Sequence, residues 1–237
     1  MYQSTRGLIR DYTGCNRCSL CSPHRTQVVM GFGHPNADIM IIGEAPGEAE
    51  DGRGFPFVGP SGRALNSMLA NCNLTRDEVW TTNVVLCRPA IRDRNDRLEN
   101  RTPTNPEIEA CRERLIQEIA LIDPNVIILM GDVAIRALTR ERKKMEALAG
   151  KTSKIEIEVD GYPAEYLGFM CWHPSYLLRV DAARDPNGPF YQMTDFLRFA
   201  VRTSDFINLM RDDPEAALSK EPPLPDRGMN LSQLGSL

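Results

Sequence analysis

Residues 43–62 read GEAPGEAEDGRGFPFVGPSG. The stretch follows an apolar, β-branched run, ADIMII at 37–42, that has the character of a buried strand. Beyond it, Ala64, Leu65, Met68, Leu69 and Cys72 recur at helical spacing from about Ser61 onward. A strand therefore delivers the chain to a long loop and a helix takes it away. Six of the twenty loop residues are glycine, which lets backbone approach a ligand closely. Glu44, Glu48, Glu50 and Asp51 add carboxylates, and Phe55 and Phe57 add rings. A loop of this length inside a compact domain is commonly functional or disordered. Its two rings and three prolines argue against disorder, so it reads as the wall of an active site.

The same alternation continues on either side. Val79–Val85 reads as a strand and 88–104 as a polar loop rich in arginine. Asn105 is placed to cap a helix with Pro106 at its first position, and Ile108, Cys111, Leu115, Ile119 and Ile122 form its apolar face. Val126–Met130 is a second wholly apolar strand, and Gly131 opens a helix to about Leu138. After a basic run at 140–144, Ile155, Ile157 and Val159 alternate as in an edge strand or hairpin arm. Tyr166–Trp172 reads as a strand leading into His173-Pro174-Ser175, and Phe190–Met210 as a long helix. The expected architecture is α/β with a mostly parallel central sheet, one domain over 1–210, and a flexible tail over 211–237. Ligands of such sheets bind at the carboxyl ends of strands. The loops after Ile42, around Asn83 and after Trp172 can all reach one such site.

Composition narrows the partners. With 237 residues, a net charge of −4 and a pI near 5.5, the chain is not a globally basic nucleic-acid binder, so contact with nucleic acid would need local patches. No apolar run approaches the roughly 20 residues of a membrane span. The N-terminal segment lacks an apolar signal core, so a cytoplasmic location is expected. Seven cysteines, an odd number, argue against a disulfide framework. Cys15 and Cys18 form a C-x-x-C pair. With Cys87 at a strand end and Cys111 in early helical turns, four thiolates suited to zinc or an iron–sulfur cluster are available. Cys72 and Cys171 fit helix and strand patterns and read as small buried hydrophobes. Cys21 repeats the two-residue gap and competes with Cys15 as a ligand or is spare.

GEAPGEAEDGRGFPFVG, TNVVLCRP and HPSYLLR, together with Cys15, Cys18, Cys87 and Cys111, resemble the family 4 uracil-DNA glycosylases, the iron–sulfur members of the uracil-DNA glycosylase superfamily. The resemblance runs from about Cys15 to Phe199. It implies a three-layer α/β/α fold on a four-stranded parallel sheet and a structural [4Fe–4S] cluster on Cys15, Cys18, Cys87 and Cys111. It also implies a monomeric enzyme whose partner is DNA, and since no lysine stands in a recognisable Schiff-base context, a monofunctional one that leaves an abasic site is expected. By the same resemblance Glu44 positions the attacking water and offsets positive charge on the sugar, and His173 donates to the departing base. Phe57 stacks on the flipped base and Asn83 reads its edge, with Gly43 and Ala45 beside them. Ser61 and Ser175 suit phosphate contacts, and Leu177, Leu178 and Arg179 fill the gap left in the stack.

Each of these residues has an ordinary reading when taken singly. Glu44 alone would be a solvated or capping acid, His173 a structural histidine, Phe57 core and Asn83 a turn residue. All four at strand ends in one ordered set favour the site. Between Cys87 and Cys111 stand 23 residues, of which Ile91–Glu99 look inserted ahead of the Asn100-Arg101-Thr102-Pro103 core. That insertion, and Trp172 ahead of the histidine, leave two substrates open: uracil, or a modified, even glucosylated, pyrimidine of phage DNA removed in antiviral defence. A non-catalytic DNA-binding module on the same fold is the alternative from another class.

Overall fold

The computed structural model describes residues 2–139, 141–179 and 188–224. In chain order the elements are α1 (Thr5–Tyr12), β1 (Phe32–Gly33), β2 (Ile39–Gly43), α2 (Glu48–Arg53), α3 (Pro60–Ala70), β3 (Trp80–Asn83), β4 (Ala90–Arg92), β5 (Leu98–Asn100), α4 (Asn105–Ile122), β6 (Val126–Met130), α5 (Asp132–Leu138), α6 (Met145–Leu148), β7 (Lys151–Val159), β8 (Tyr162–Cys171), α7 (Ser175–Arg179), α8 (Pro189–Asp212) and α9 (Pro214–Leu218). One mixed sheet runs in the order β1-β3-β2-β6-β8-β7, and β4 pairs with β5 as a separate hairpin. Among the described residues no helix is long and apolar enough to cross a membrane.

The expected four parallel strands form the centre of the sheet, as β3, β2, β6 and β8. The strand count is corrected to six, because an antiparallel strand closes each edge. β1 pairs over only two residues, Phe32 with Thr81 and Gly33 with Trp80. β7 pairs with β8 from Lys151–Met170 to Val159–Tyr162 across the Asp160-Gly161 turn. Both turn residues have positive φ, 51° and 85°, the condition for a tight hairpin that matches strand twist.

Alternation along the central strands builds the three layers. Met40 and Ile42 of β2, with Ile127 and Leu129 of β6, pack under α1, α4 and α5. Ile39 and Ile41, with Val126, Ile128 and Met130, pack under α3 and α8. Burial of each such side chain is worth about 1.5–3 kcal/mol, so both faces are committed to helices. The four parallel strands then end together at Gly43, Asn83, Met130 and Cys171, with Gly43 directly opposite Asn83.

Three local readings are corrected. The 43–62 stretch is not one loop, for α2 sits inside it, closed by Gly54 at φ 79°. The arginine-rich 88–104 segment contains the β4–β5 hairpin, which takes up most of the insertion. The cap of α4 is Thr104 rather than Asn105, since Glu107 reaches back to the Thr104 N–H at 2.8 Å. After Asp212 the chain forms α9, whose Ala217 is buried, and the expected tail from 225 onward lies outside the described residues.

Candidate active site

At the carboxyl end of the sheet lies a cleft of about 620 Å³. Glu44, Ala45, Phe57, Ser61, Asn83, His173, Ser175 and Arg179 all line it, so eight of the residues singled out in the sequence meet there. Backbone pairing continues past the last residues of the strands. Val84 N–H donates to Gly43 O at 2.9 Å and Val85 N–H to Glu44 O at 3.3 Å. Glu44 is thereby held on the sheet rather than on a free loop.

Gly43 is the pivot. A Cβ there would lie 2.5 Å from Asn83 Oδ1 and 2.6 Å from Phe57 Cζ. Only the bare backbone lets the amide and the ring close on the same spot. Phe57 is buried and adopts φ 53°, a left-handed conformation that costs a non-glycine residue about 1–3 kcal/mol. The rings of Phe57 and His173 face each other with centroids 6.3 Å apart and planes inclined by 25°.

Burial pushes the Glu44 carboxyl above its ordinary value, against a hydrogen bond with Thr102, and the Asp132 charge adds to the rise. Burial also pulls His173 down to about 4, helped by the Arg179 charge and opposed by Glu50. Its Nδ1 accepts the Ser175 N–H at 3.2 Å and lies 2.8 Å from the Ser175 hydroxyl. A neutral imidazole that accepts at Nδ1 carries its proton on Nε2, where it is a donor.

Several residues that hold this geometry carried no role in the sequence reading. Glu50 accepts from the N–H groups of Gly47, Val58 and Gly59 at 3.1, 2.9 and 2.7 Å, pulling the acidic stretch into a compact wall. Asp51 accepts the Thr26 N–H at 3.0 Å, tying that wall to the cysteine-bearing segment. Arg76 donates to Pro56 O at 2.9 Å, Thr81 Oγ1 at 2.8 Å and Phe57 O at 3.4 Å, with its guanidinium 5.7 Å from the Phe57 ring centroid. Arg114, wholly buried, donates to the carbonyls of Asn83 and Val84 at 2.7 Å each and pairs with buried Glu118. It fixes the strand end from which the Asn83 amide projects. A buried arginine looks like a surface one in sequence.

Cys87 and Cys111 are buried in the core cluster that Cys15 and Cys18 pack against. Cys18 and Cys87 each lie within electrostatic reach of both Cys111 and Cys15. Arg25 donates to Cys15 O at 2.6 Å and points its guanidinium at the sulfurs of Cys87 and Cys21, 3.5 and 3.4 Å away. Among the described residues no three or more His, Cys, Asp or Glu side chains are arranged as a metal site. Four thiols in one neighbourhood, with a cation beside them, do fit the soft donor set of a thiolate-bound cluster. Exposed Cys21 stands at the margin of this group.

The α7 residues divide. Leu177 is buried in the α3–α8 core, while Leu178 is 55% exposed. The leucine free to leave the protein surface is therefore Leu178, because the phase of α7 turns Leu177 inward. The β4–β5 hairpin is rooted at the cleft, where Pro89, Asn100 and Arg101 line the wall. Buried Arg88 fastens it, donating to Asn100 Oδ1 at 2.7 Å.

The model of the Uracil DNA glycosylase superfamily matches residues 30–195. The type-4 uracil-DNA glycosylase of Thermotoga maritima is 38% identical over 169 residues, covering 69% of this chain and 79% of that protein. That of Pyrobaculum aerophilum is 36% identical over 176 residues, 72% and 82% of the two chains. That of Archaeoglobus fulgidus is 33% identical over 176 residues, 70% and 84%. With the fold, the cleft and these matches in agreement, the chain belongs to the uracil-DNA glycosylase superfamily and stands with its type-4 members.

Proposed function

We infer that the chain is a monofunctional uracil-DNA glycosylase of base excision repair. The observation that carries this is the grouping of Glu44, Phe57, Asn83 and His173 around Gly43 at the sheet's carboxyl edge. An extruded uracil would stack on Phe57 and offer its polar edge to the Asn83 amide, which can both donate and accept. As the C1′–N1 bond breaks, its electron pair leaves with the base and positive charge builds on the sugar. The His173 Nε2–H donates to the base oxygen on which the negative charge gathers. The Glu44 carboxylate orients water toward C1′ and offsets the sugar's charge. Among the described residues no lysine lines the cleft, which supports hydrolysis to an abasic site without strand cleavage.

Cys15, Cys18, Cys87 and Cys111 are the residues that would hold a [4Fe–4S] cluster. Such a cluster would cross-link the N-terminal segment to the segment that follows β3 and to the second turn of α4. Ser61, Ser175, Leu178 and Arg179 are assigned to the DNA strand beside the target, and 1–210 to one glycosylase domain acting as a cytoplasmic monomer. The relatives named above are all called uracil-DNA glycosylases. Their names lend no support to a modified phage base or a silent binding module. The test is abasic-site formation on oligonucleotides holding one uracil, with the wild type and Glu44→Ala. Release by the wild type and not by the variant is expected. Equal release by both, or binding without release by the wild type, overturns the reading.

A further inference from the structure

Trp172 is adjacent to His173, and Tyr176 and Arg179 follow on α7. The Trp172 and Tyr176 rings stack with centroids 4.5 Å apart and planes only 16° from parallel. The Arg179 guanidinium lies 5.9 Å from the Tyr176 centroid. All three line the cleft, as do the small residues Pro60 and Ser61 that begin α3. Trp172 rests partly against the α3–α8 core, yet neither its ring nor that of Tyr176 is fully buried, and Arg179 is exposed. The cleft's 620 Å³ also exceeds what one planar six-membered ring requires. Phe57, Asn83, Glu44 and His173 account for that ring. Trp172 and Tyr176 are left without a task, and Arg179, assigned to the DNA strand beside the target, lies next to them.

We propose that Trp172, Tyr176 and Arg179 form a second nucleobase subsite, a flat ladder that stacks an unpaired base adjoining the one excised. The ligand class is a purine or pyrimidine ring, recognised by its π-face and not by its hydrogen-bonding edge. The inference rests on the assignment of the target base to Phe57 and Asn83. Base–aromatic stacking tolerates any sequence, and arginine extends a ladder by cation–π contact. In a duplex the neighbouring base is engaged with its partner and its own stack. In single-stranded DNA it is free to move onto the ladder. The subsite therefore favours uracil in single strands or at frayed and gapped positions over uracil within an intact duplex.

The test uses the full-length protein as isolated, silenced by Glu44→Gln for binding. Single-stranded oligonucleotides hold one uracil, and each neighbouring nucleotide in turn is replaced by an abasic spacer. Loss of one particular neighbour is expected to weaken binding roughly 5- to 100-fold, the range of base–aromatic stacking. Trp172→Leu and Tyr176→Leu should bind the intact oligonucleotide weakly by a similar factor and show no further loss with the spacer. Trp172→Phe, which keeps a flat ring, should restore the spacer dependence. Tryptophan emission gives a second readout. Trp80, the other tryptophan, is buried and hydrogen-bonded to Glu118, so a change on DNA binding that disappears in Trp172→Phe reports the ladder. Equal response of wild type and leucine variants to every spacer overturns the proposal. If the Glu44 enzyme released no uracil yet spacer dependence persisted, the functional reading would fail and the stacking subsite would stand.

Discussion

The backbone N–H of Ser175 points at Nδ1 of His173 from 3.2 Å, so the imidazole has its proton on Nε2 before any DNA arrives. This contact makes His173 a donor while neutral. Protonation would not be needed for it to act, and burial with the nearby Arg179 charge holds the ring's pKa at about 4.

The pH dependence of base release follows from the two residues together. In the proposed mechanism Glu44 works ionised, and burial raises its pKa above the ordinary value. Falling pH therefore protonates Glu44 before it protonates His173. The acid limb of a single-turnover profile should belong to Glu44 and lie above the ordinary glutamate value of about 4.3. His173→Leu should lower the rate about 10²–10³-fold, the effect of removing one donor to a developing anion, and leave that limb where it was. A limb that moved with His173→Leu would assign it to the imidazole instead.

Glu44 also sets a cost. Its pKa is raised on folding, so the folded state holds the proton more tightly than the unfolded chain does. Stability from this group is present at low pH and is lost as pH rises through the raised value. At pH 7 the buried charge is a burden, and Glu44→Gln should remove it while abolishing catalysis. Thermal unfolding of the variant at pH 7 should shift up by about 2–4 °C for each kcal/mol relieved, and the gain should shrink as pH falls. An inactive variant with an unchanged or lower midpoint would contradict the account.

How far the sequence could be read depended on whether local pattern or tertiary context made each element. β2 and β6 are unbroken apolar runs sandwiched between helix layers, and nothing but buried parallel strands suits them. The residues that line the cleft were legible because they follow such strands. α2 was not, since a six-residue helix with Gly52 in it has no apolar face. It persists through the bonds of Glu50 and Asp51 to neighbouring backbone. β1 exists by pairing with β3 alone. Arg114 and Glu118 stand four apart, the spacing of an exposed helical pair, and only the fold shows both wholly buried. Leu177 and Leu178 are adjacent leucines whose inward and outward directions are decided by how α7 docks.

Arg76 offers a test of how Phe57 keeps its left-handed backbone. It donates to the carbonyls of Pro56 and Phe57, one on each side of the Phe57 Cα, and lies over the ring. Burial lowers its pKa to about 10, which still leaves it charged at neutral pH. Arg76→Gln should weaken binding of uracil-containing DNA to the Glu44→Gln protein by about 1–2 kcal/mol, in the range of coupled neighbours. In a Phe57→Ala background the same substitution should cost nothing further. A full cost in both backgrounds would show that Arg76 supports the fold and not the ring.

Glu107 is the joint between three segments. It takes both ends of the Arg101 guanidinium at 2.8 and 2.6 Å, the Thr104 N–H at 2.8 Å and the Ser19 hydroxyl at 2.7 Å. Arg101 follows the β4–β5 hairpin, Ser19 follows Cys18, and Glu107 lies one turn before Cys111 on α4. These bonds, the Arg101 contact first, hold its carboxyl down at about 2. The folded pKa is depressed, so its contribution is complete above the unfolded value of about 4.3 and is lost as pH falls through about 2. Glu107→Gln should cost about 1.5–3 kcal/mol at pH 7, the worth of hydrogen bonds to a charged group, measured by urea unfolding. The difference from wild type should narrow between about pH 4 and pH 2. The single oxygen of glutamine cannot serve Arg101, Thr104 and Ser19 as the carboxylate does, so, with the proposed cluster, iron retained per chain after exposure to a chelator should fall as well. A variant with lowered stability and unchanged iron retention would separate the hairpin joint from the cysteine segment and leave Glu107 a cap of α4 alone.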